Sequence, residues 1–263
     1  MKNEGDIHNI MQIFAAVFHS LTSTPMKPIV LIVSFFLCAA IGCSHNAQEA
    51  NKFVEKGYTH FEAGQFKKAI ADYSKAIEID PDNVEAYTNR GFTYQTLGDI
   101  QKAIPDYSIA IKLDPKKTIA YYNRGLLYHT LGNERQALAD FNKTVETDPN
   151  FAIGYHLRGL THDIFGNHEK AIADFTKAIE LDPKDDKAYY NRGNIFTKHG
   201  NITSAIADYS KSIAINPNFS FAYLNRGMVY QNQGDNESAC QDFNKAKELG
   251  NPNAADLLAK HCK

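Results

Sequence analysis

From Ala50 onward, apolar, small and polar side chains fall into a pattern that returns every 34 residues. Counting each unit from 1 to 34, positions 4, 8 and 11 are aromatic or small, and so are positions 20, 24 and 27. Each triplet has the spacing of one face of a helix. Position 8 is Gly57, Gly91, Gly125, Gly159, Gly193 and Gly227. Position 20 is Ala69, Ala103, Ala137, Ala171, Ala205 and Ala239. Between the two triplets a glycine stands at position 15, from Gly64 to Gly234. At position 32 a proline closes five units, at Pro81, Pro115, Pro149, Pro183 and Pro217. Glycine and proline in those places interrupt the helical runs. The pattern therefore predicts two helices per unit, A then B, in six units: 50–83, 84–117, 118–151, 152–185, 186–219 and 220–253. A short amphipathic helix over 254–263, with Leu257 and Leu258, reads as a cap. One hairpin cannot bury its apolar face alone, so the units must stack into an all-α array. Pro105, inside helix B of unit 2, predicts a kink or a 3₁₀ first turn.

Unit 2 reads AYTNRGFTYQTLGDIQKAIPDYSIAIKLDP over 86–115. This resembles the tetratricopeptide repeat, and the resemblance covers residues 50–253. It implies a right-handed α-α superhelix of six hairpins plus a C-terminal capping helix. It further implies an adaptor that holds protein or peptide partners in its concave groove, without enzymatic activity.

The chain ahead of the repeats has a different character. Residues 29–41 read IVLIVSFFLCAAI, thirteen residues without charge, following Lys27 and ending in small side chains. That is too short to span a bilayer and has the composition of a secretory leader. Ala40-Ile41-Gly42-Cys43 resembles the bacterial lipobox, which implies cleavage before Cys43 and acylation of that cysteine. Ser44 after it implies the outer membrane, facing the periplasm or the cell surface. Residues 1–42 are thus a signal region, with Met26 reading as the start of translation and an extended leader as the alternative. Residues 43–49 read as the lipidated cysteine and a tether.

Composition narrows the function classes. The chain has 263 residues, 22% of them charged, and a formal net charge of −2. Nucleic-acid binding wants a basic surplus that is absent here. There is no nucleophile elbow, phosphate loop or HExxH, and nothing calls for a cofactor or metal. His156, His162 and His168 are six residues apart, which points them to different faces, and His162 replaces an aromatic at position 11.

Two polar rows are more informative. Position 7 is Lys56, Arg90, Arg124, Arg158, Arg192 and Arg226; position 23 is Asp72, Asp106, Asp140, Asp174, Asp208 and Asp242. In a hairpin turning near position 15 these residues face each other and predict a ladder of ion pairs, an anion-binding arginine row being the alternative. Position 6 carries Asn89, Asn123, Asn191 and Asn225, a row able to hold a peptide backbone or simply to be solvated. In unit 4 the same face is apolar: Ile153, Leu157, Leu160 and Ile164, with Tyr122 and Leu126 beside it. Exposed, such a stripe marks a binding surface; buried, it is packing between units. The partners expected are proteins or peptides, and the membrane through the anchor; self-association stays open. An enzyme site in the groove and a passive spacer are the rival readings.

Cys38 would leave with the leader and Cys43 would be acylated, which leaves Cys240 and Cys262. Their midpoint, residue 251, lies in the turn between helix B of unit 6 and the cap. The two should meet as a disulfide, two free thiols being the alternative.

Overall fold

The computed structural model describes residues 45–262. Among these are thirteen helices and no strand. Unit 1 is α1 (His45–Glu62) and α2 (Phe66–Ile79), and unit 2 is α3 (Val84–Thr96) and α4 (Ile100–Leu113). Unit 3 is α5 (Thr118–Thr130) and α6 (Glu134–Thr147), and unit 4 is α7 (Ala152–Ile164) and α8 (His168–Leu181). Unit 5 is α9 (Asp186–Lys198) and α10 (Ile202–Ile215), unit 6 is α11 (Ser220–Asn232) and α12 (Asn236–Glu248), and the cap is α13 (Ala254–His261). None of these helices is long and apolar enough to cross a membrane.

Each boundary has a local cause. The A-to-B turn puts its glycine at positive φ, 74° at Gly132, where a Cβ would be strained. The B-to-A turn uses the residue before proline. Asp114 ends α4 in extended conformation, and its Oδ1 accepts the backbone N–H of Lys116 at 2.9 Å. Asp148, Asp182 and Asn216 repeat that bond, so the Asp/Asn-Pro signature is a side-chain-stabilised turn.

Within each unit, A packs on B through a ring laid over a glycine. A Cβ on Gly125 would meet Phe141 Cε1 at 2.8 Å, so only glycine lets α5 and α6 close. Between units, alanines meet alanines: Ala110 with Ala120, and Ala178 with Ala188. Successive A helices touch, α3 with α5 and α9 with α11, while successive B helices make no comparable contact. The A side is therefore the inner, concave side.

Two expectations are corrected. Of the kink or 3₁₀ first turn expected at Pro105, the 3₁₀ turn is absent: α4 is α-helical from Ile100 to Leu113. The ring is on the exposed side of the helix, where water can serve the carbonyl that loses its partner. The tether expected over 43–49 is also wrong from residue 45 on, because α1 already begins at His45. No glycine or proline stands between His45 and Ala50, and Ala50 is fully buried against Ala76 and Ala86, which anchors the extra turn.

Candidate functional site

The position 7 and 23 rows come together. Arg124 Nε and Nη2 donate to Asp140 Oδ2 and Oδ1, both at 2.8 Å. The same two-pronged pairing joins Arg90 to Asp106, Arg158 to Asp174, Arg192 to Asp208 and Arg226 to Asp242. In unit 1 the shorter Lys56 reaches Asp72 at 3.2 Å, and His60 Nδ1 completes that carboxylate at 2.6 Å. Hydrogen bonding to the aspartate raises each of Arg90, Arg124, Arg192 and Arg226 above the ordinary guanidinium pKa.

A third prong was not legible in the sequence. Arg124 Nη1 donates to Ser108 Oγ of the preceding unit at 2.9 Å. Arg90, Arg192 and Arg226 do the same to Ser74, Thr176 and Ser210, and Arg158 to Asn142 Oδ1. Each arginine thus ties its own hairpin and the seam behind it. The tyrosines at position 4 lie against the guanidinium, 5.3 Å from ring centre to Cζ for Tyr155 and Arg158. With both prongs and the seam engaged, this row is structural and leaves little for an anion.

The inner face is only partly what the stripe suggests. Ile164 is 55% exposed, and Ile119, one unit earlier, 37%. Ile153, Leu160 and Leu126 are half-buried. Leu157 is a correction: it is 5% exposed and packs in a cluster with Ala137, Phe141 and Tyr122. Tyr122 is likewise buried, edge-on to Phe151 at 5.1 Å. Curvature closes the A helices over positions 5 and 6, so these side chains fill the seam instead of facing a ligand.

The asparagine row meets the same fate in part. Asn123 is buried. Asn225 donates to Tyr190 Oη at 3.0 Å and Asn194 Oδ1 at 2.8 Å. Asn191 Nδ2 lies 3.4 Å from His156 Nε2. Asn191 and Asn225 are stitches between successive A helices. Asn89 is half-buried.

The histidines of unit 4 each find a different acid. Buried His156 places Nδ1 2.6 Å from Asp185 Oδ2, and His168 Nδ1 is 3.1 Å from Asp163. His162 is 8% exposed, with Nε2 3.9 Å from Asp174 and Nδ1 without a partner. Burial, reinforced by the Arg158 charge, lowers the His162 pKa. Burial alone would raise Asp185, but His156 and the N–H groups at the start of α9 outweigh it and hold that carboxyl low. No group of three or more His, Cys, Asp or Glu able to hold a metal occurs among the described residues.

Cys240 and Cys262 form a disulfide with Cα atoms 5.7 Å apart. Cys43 lies outside the described residues.

Family models described as "TPR repeat" match residues 57–98 and 166–200, and models described as "Tetratricopeptide repeat" match 84–117, 118–151, 186–219 and 209–241. Together these ranges span well over half of the chain. The chain belongs to the tetratricopeptide-repeat family. Between the matched ranges lie residues 152–165, which take in helix α7 with His156 and His162. No curated protein matches. Among solved structures, a MamA protein is 28% identical with a TM-score of 0.60, covering 70% of this chain and 97% of its own. YrrB, described as a tetratricopeptide protein with an unusual peptide-binding site, is 22% identical with a TM-score of 0.64 over 72% of this chain and 97% of its own. PilF of Pseudomonas aeruginosa is 16% identical with a TM-score of 0.70, over 82% of this chain and all of its own. The last two establish likeness of fold. The tetratricopeptide array is a scaffold for protein–protein interaction.

Proposed function

We propose that this tetratricopeptide protein is an exported, lipid-anchored adaptor that faces the periplasm and holds protein partners or extended peptides on its inner face, in the assembly of the cell envelope. The observation that carries the reading is the exposure of apolar side chains on the A helices of units 3 and 4, where Ile119 and Ile164 are exposed and Ile153, Leu160 and Leu126 half-buried. Exposed contiguous apolar surface on a soluble array is a feature of contact sites. YrrB's peptide-binding site, on an array of this shape, supports the same use of this one. Export is supported by the leader-like run and by Cys43. A second support is the Cys240–Cys262 bridge, since disulfides persist in oxidising compartments.

Photo-crosslinking in intact cells tests the groove. A crosslinker at Ile164 or Ile119 should trap a discrete protein partner, whereas one at Ile109, exposed on helix B of unit 2, should not. Equal labelling from both sides would sink the groove. The anchor is tested separately: Cys43→Ala should release the protein from membranes or leave it uncleaved, and an unchanged membrane-bound mature mass would sink the anchor.

A further inference from the structure

We infer that the Cys240–Cys262 disulfide latches a cap over a stacking face, and that opening it lets two copies of this chain pair tail to tail. At each seam, helix B presents a small buried residue at position 27 to the next helix A, as Ala76 does to Ala86 and Ala110 to Ala120. At the end of the array Ala246 meets Ala254 in the same way. The cap α13 thus occupies the place of a seventh helix A. It is a poor substitute. It has 8 residues where the A helices from α3 to α11 have 13, and it fully buries only Ala254. Leu257 and Leu258 cover Leu224 and Phe243 while themselves staying half-buried. A helix this short is marginal without tertiary support.

Besides the packing of Ala254, Leu257 and Leu258, the turn through Gly250 and Asn251 holds it at one end, and at the other the bridge from α12 to Cys262 and a single hydrogen-bonded pair, Gln231 with His261 at 2.8 Å. Both sulfurs belong to half-buried residues, within reach of a dithiol. A dithiol supplies two electrons and two protons; the Cys240–Cys262 S–S bond breaks to two thiols, and the dithiol becomes a disulfide. Released at its far end, α13 frays and uncovers Leu224, Phe243 and Ala246. The occupant is the same face of a second copy. The first helix of another array is unsuited, because Glu49, Lys52 and Lys56 surround Phe53 on the surface of α1, and those charges would be desolvated against an apolar face. A face that pairs with itself closes at two copies.

Sedimentation of the full mature chain, with and without dithiothreitol, tests this. The oxidised chain should be a single copy; with dithiothreitol its mass should double reversibly with concentration. The Cys262→Ser variant in dithiothreitol should do the same, and in both the amide protection of α13 should collapse while that of α1 to α11 persists. A single-copy mass under reduction, whether or not α13 frays, would overturn the inference. Open-ended polymers would overturn it too, by showing head-to-tail stacking, as would an oxidised chain that is already double.

Discussion

Arg124 illustrates how much one residue type carries here. Its guanidinium spends two nitrogens on Asp140 and one on Ser108, so a single side chain fixes both a hairpin and a seam. The first part was legible in the sequence because positions 7 and 23 are equidistant from the turn. The second was not, because it depends on the rotation between units, which no spacing within one unit encodes. Arg124→Leu strands a nearly buried carboxylate, and thermal unfolding should show a loss of ~3–5 kcal/mol. Ser212 is the reverse case. It stands where units 1, 2, 4 and 6 have alanine, fully buried, with its hydroxyl unpartnered. Ser212→Ala should therefore raise stability by about 1 kcal/mol in denaturant titration, because a buried unsatisfied hydroxyl costs on that order. His162 adds a pH dependence. Its folded pKa lies below that of the unfolded chain, so its contribution is intact above the unfolded value and is lost as pH falls from there through the lower folded value. His162→Phe, an aromatic as at Phe196, should flatten the stability curve between about pH 7 and pH 5. An unchanged slope would mean that His162 takes its proton equally well folded and unfolded.

At the scale of the helix, the seam between units 3 and 4 departs from the alanine-on-alanine rule in a compensated way. Thr144 replaces the alanine of α6, and Gly154 replaces the alanine of α7. A Cβ on Gly154 would meet Thr144 Cγ2 at 3.0 Å and Val145 Cγ1 at 3.2 Å. The extra atoms on one helix fill the space vacated on the other. Gly154→Ala should cost about 1–3 kcal/mol through overpacking. Combining it with Thr144→Ala should recover most of that loss, giving a coupling in a double-mutant cycle that independent sites would lack. The helices themselves were legible, since their period, glycines and prolines all agree. What the sequence misplaced at this scale follows from solvent and neighbours. Pro105 faces water, which rescues its helix, and Ala50 finds a buried seat that draws α1 back to His45.

Across the whole molecule, the distinction between groove and seam was the least legible feature. Leu157 and Ile164 belong to one apolar stripe in the sequence, yet superhelical curvature buries the first and leaves the second in water. The same curvature buries Asn123 and makes Asn191 and Asn225 links between A helices. Of the apolar residues expected there, Ile119 and Ile164 stay exposed and Ile153 and Leu160 are half-buried. The two exposed isoleucines can be changed without touching the core. The most direct measurement is calorimetric titration of the partner trapped from Ile164 against the wild-type chain and the Ile119→Asp and Ile164→Asp variants. The account predicts at least ~10-fold weaker binding, about 1.4 kcal/mol, for each variant at an unchanged melting temperature. Wild-type affinity in both folded variants would contradict it.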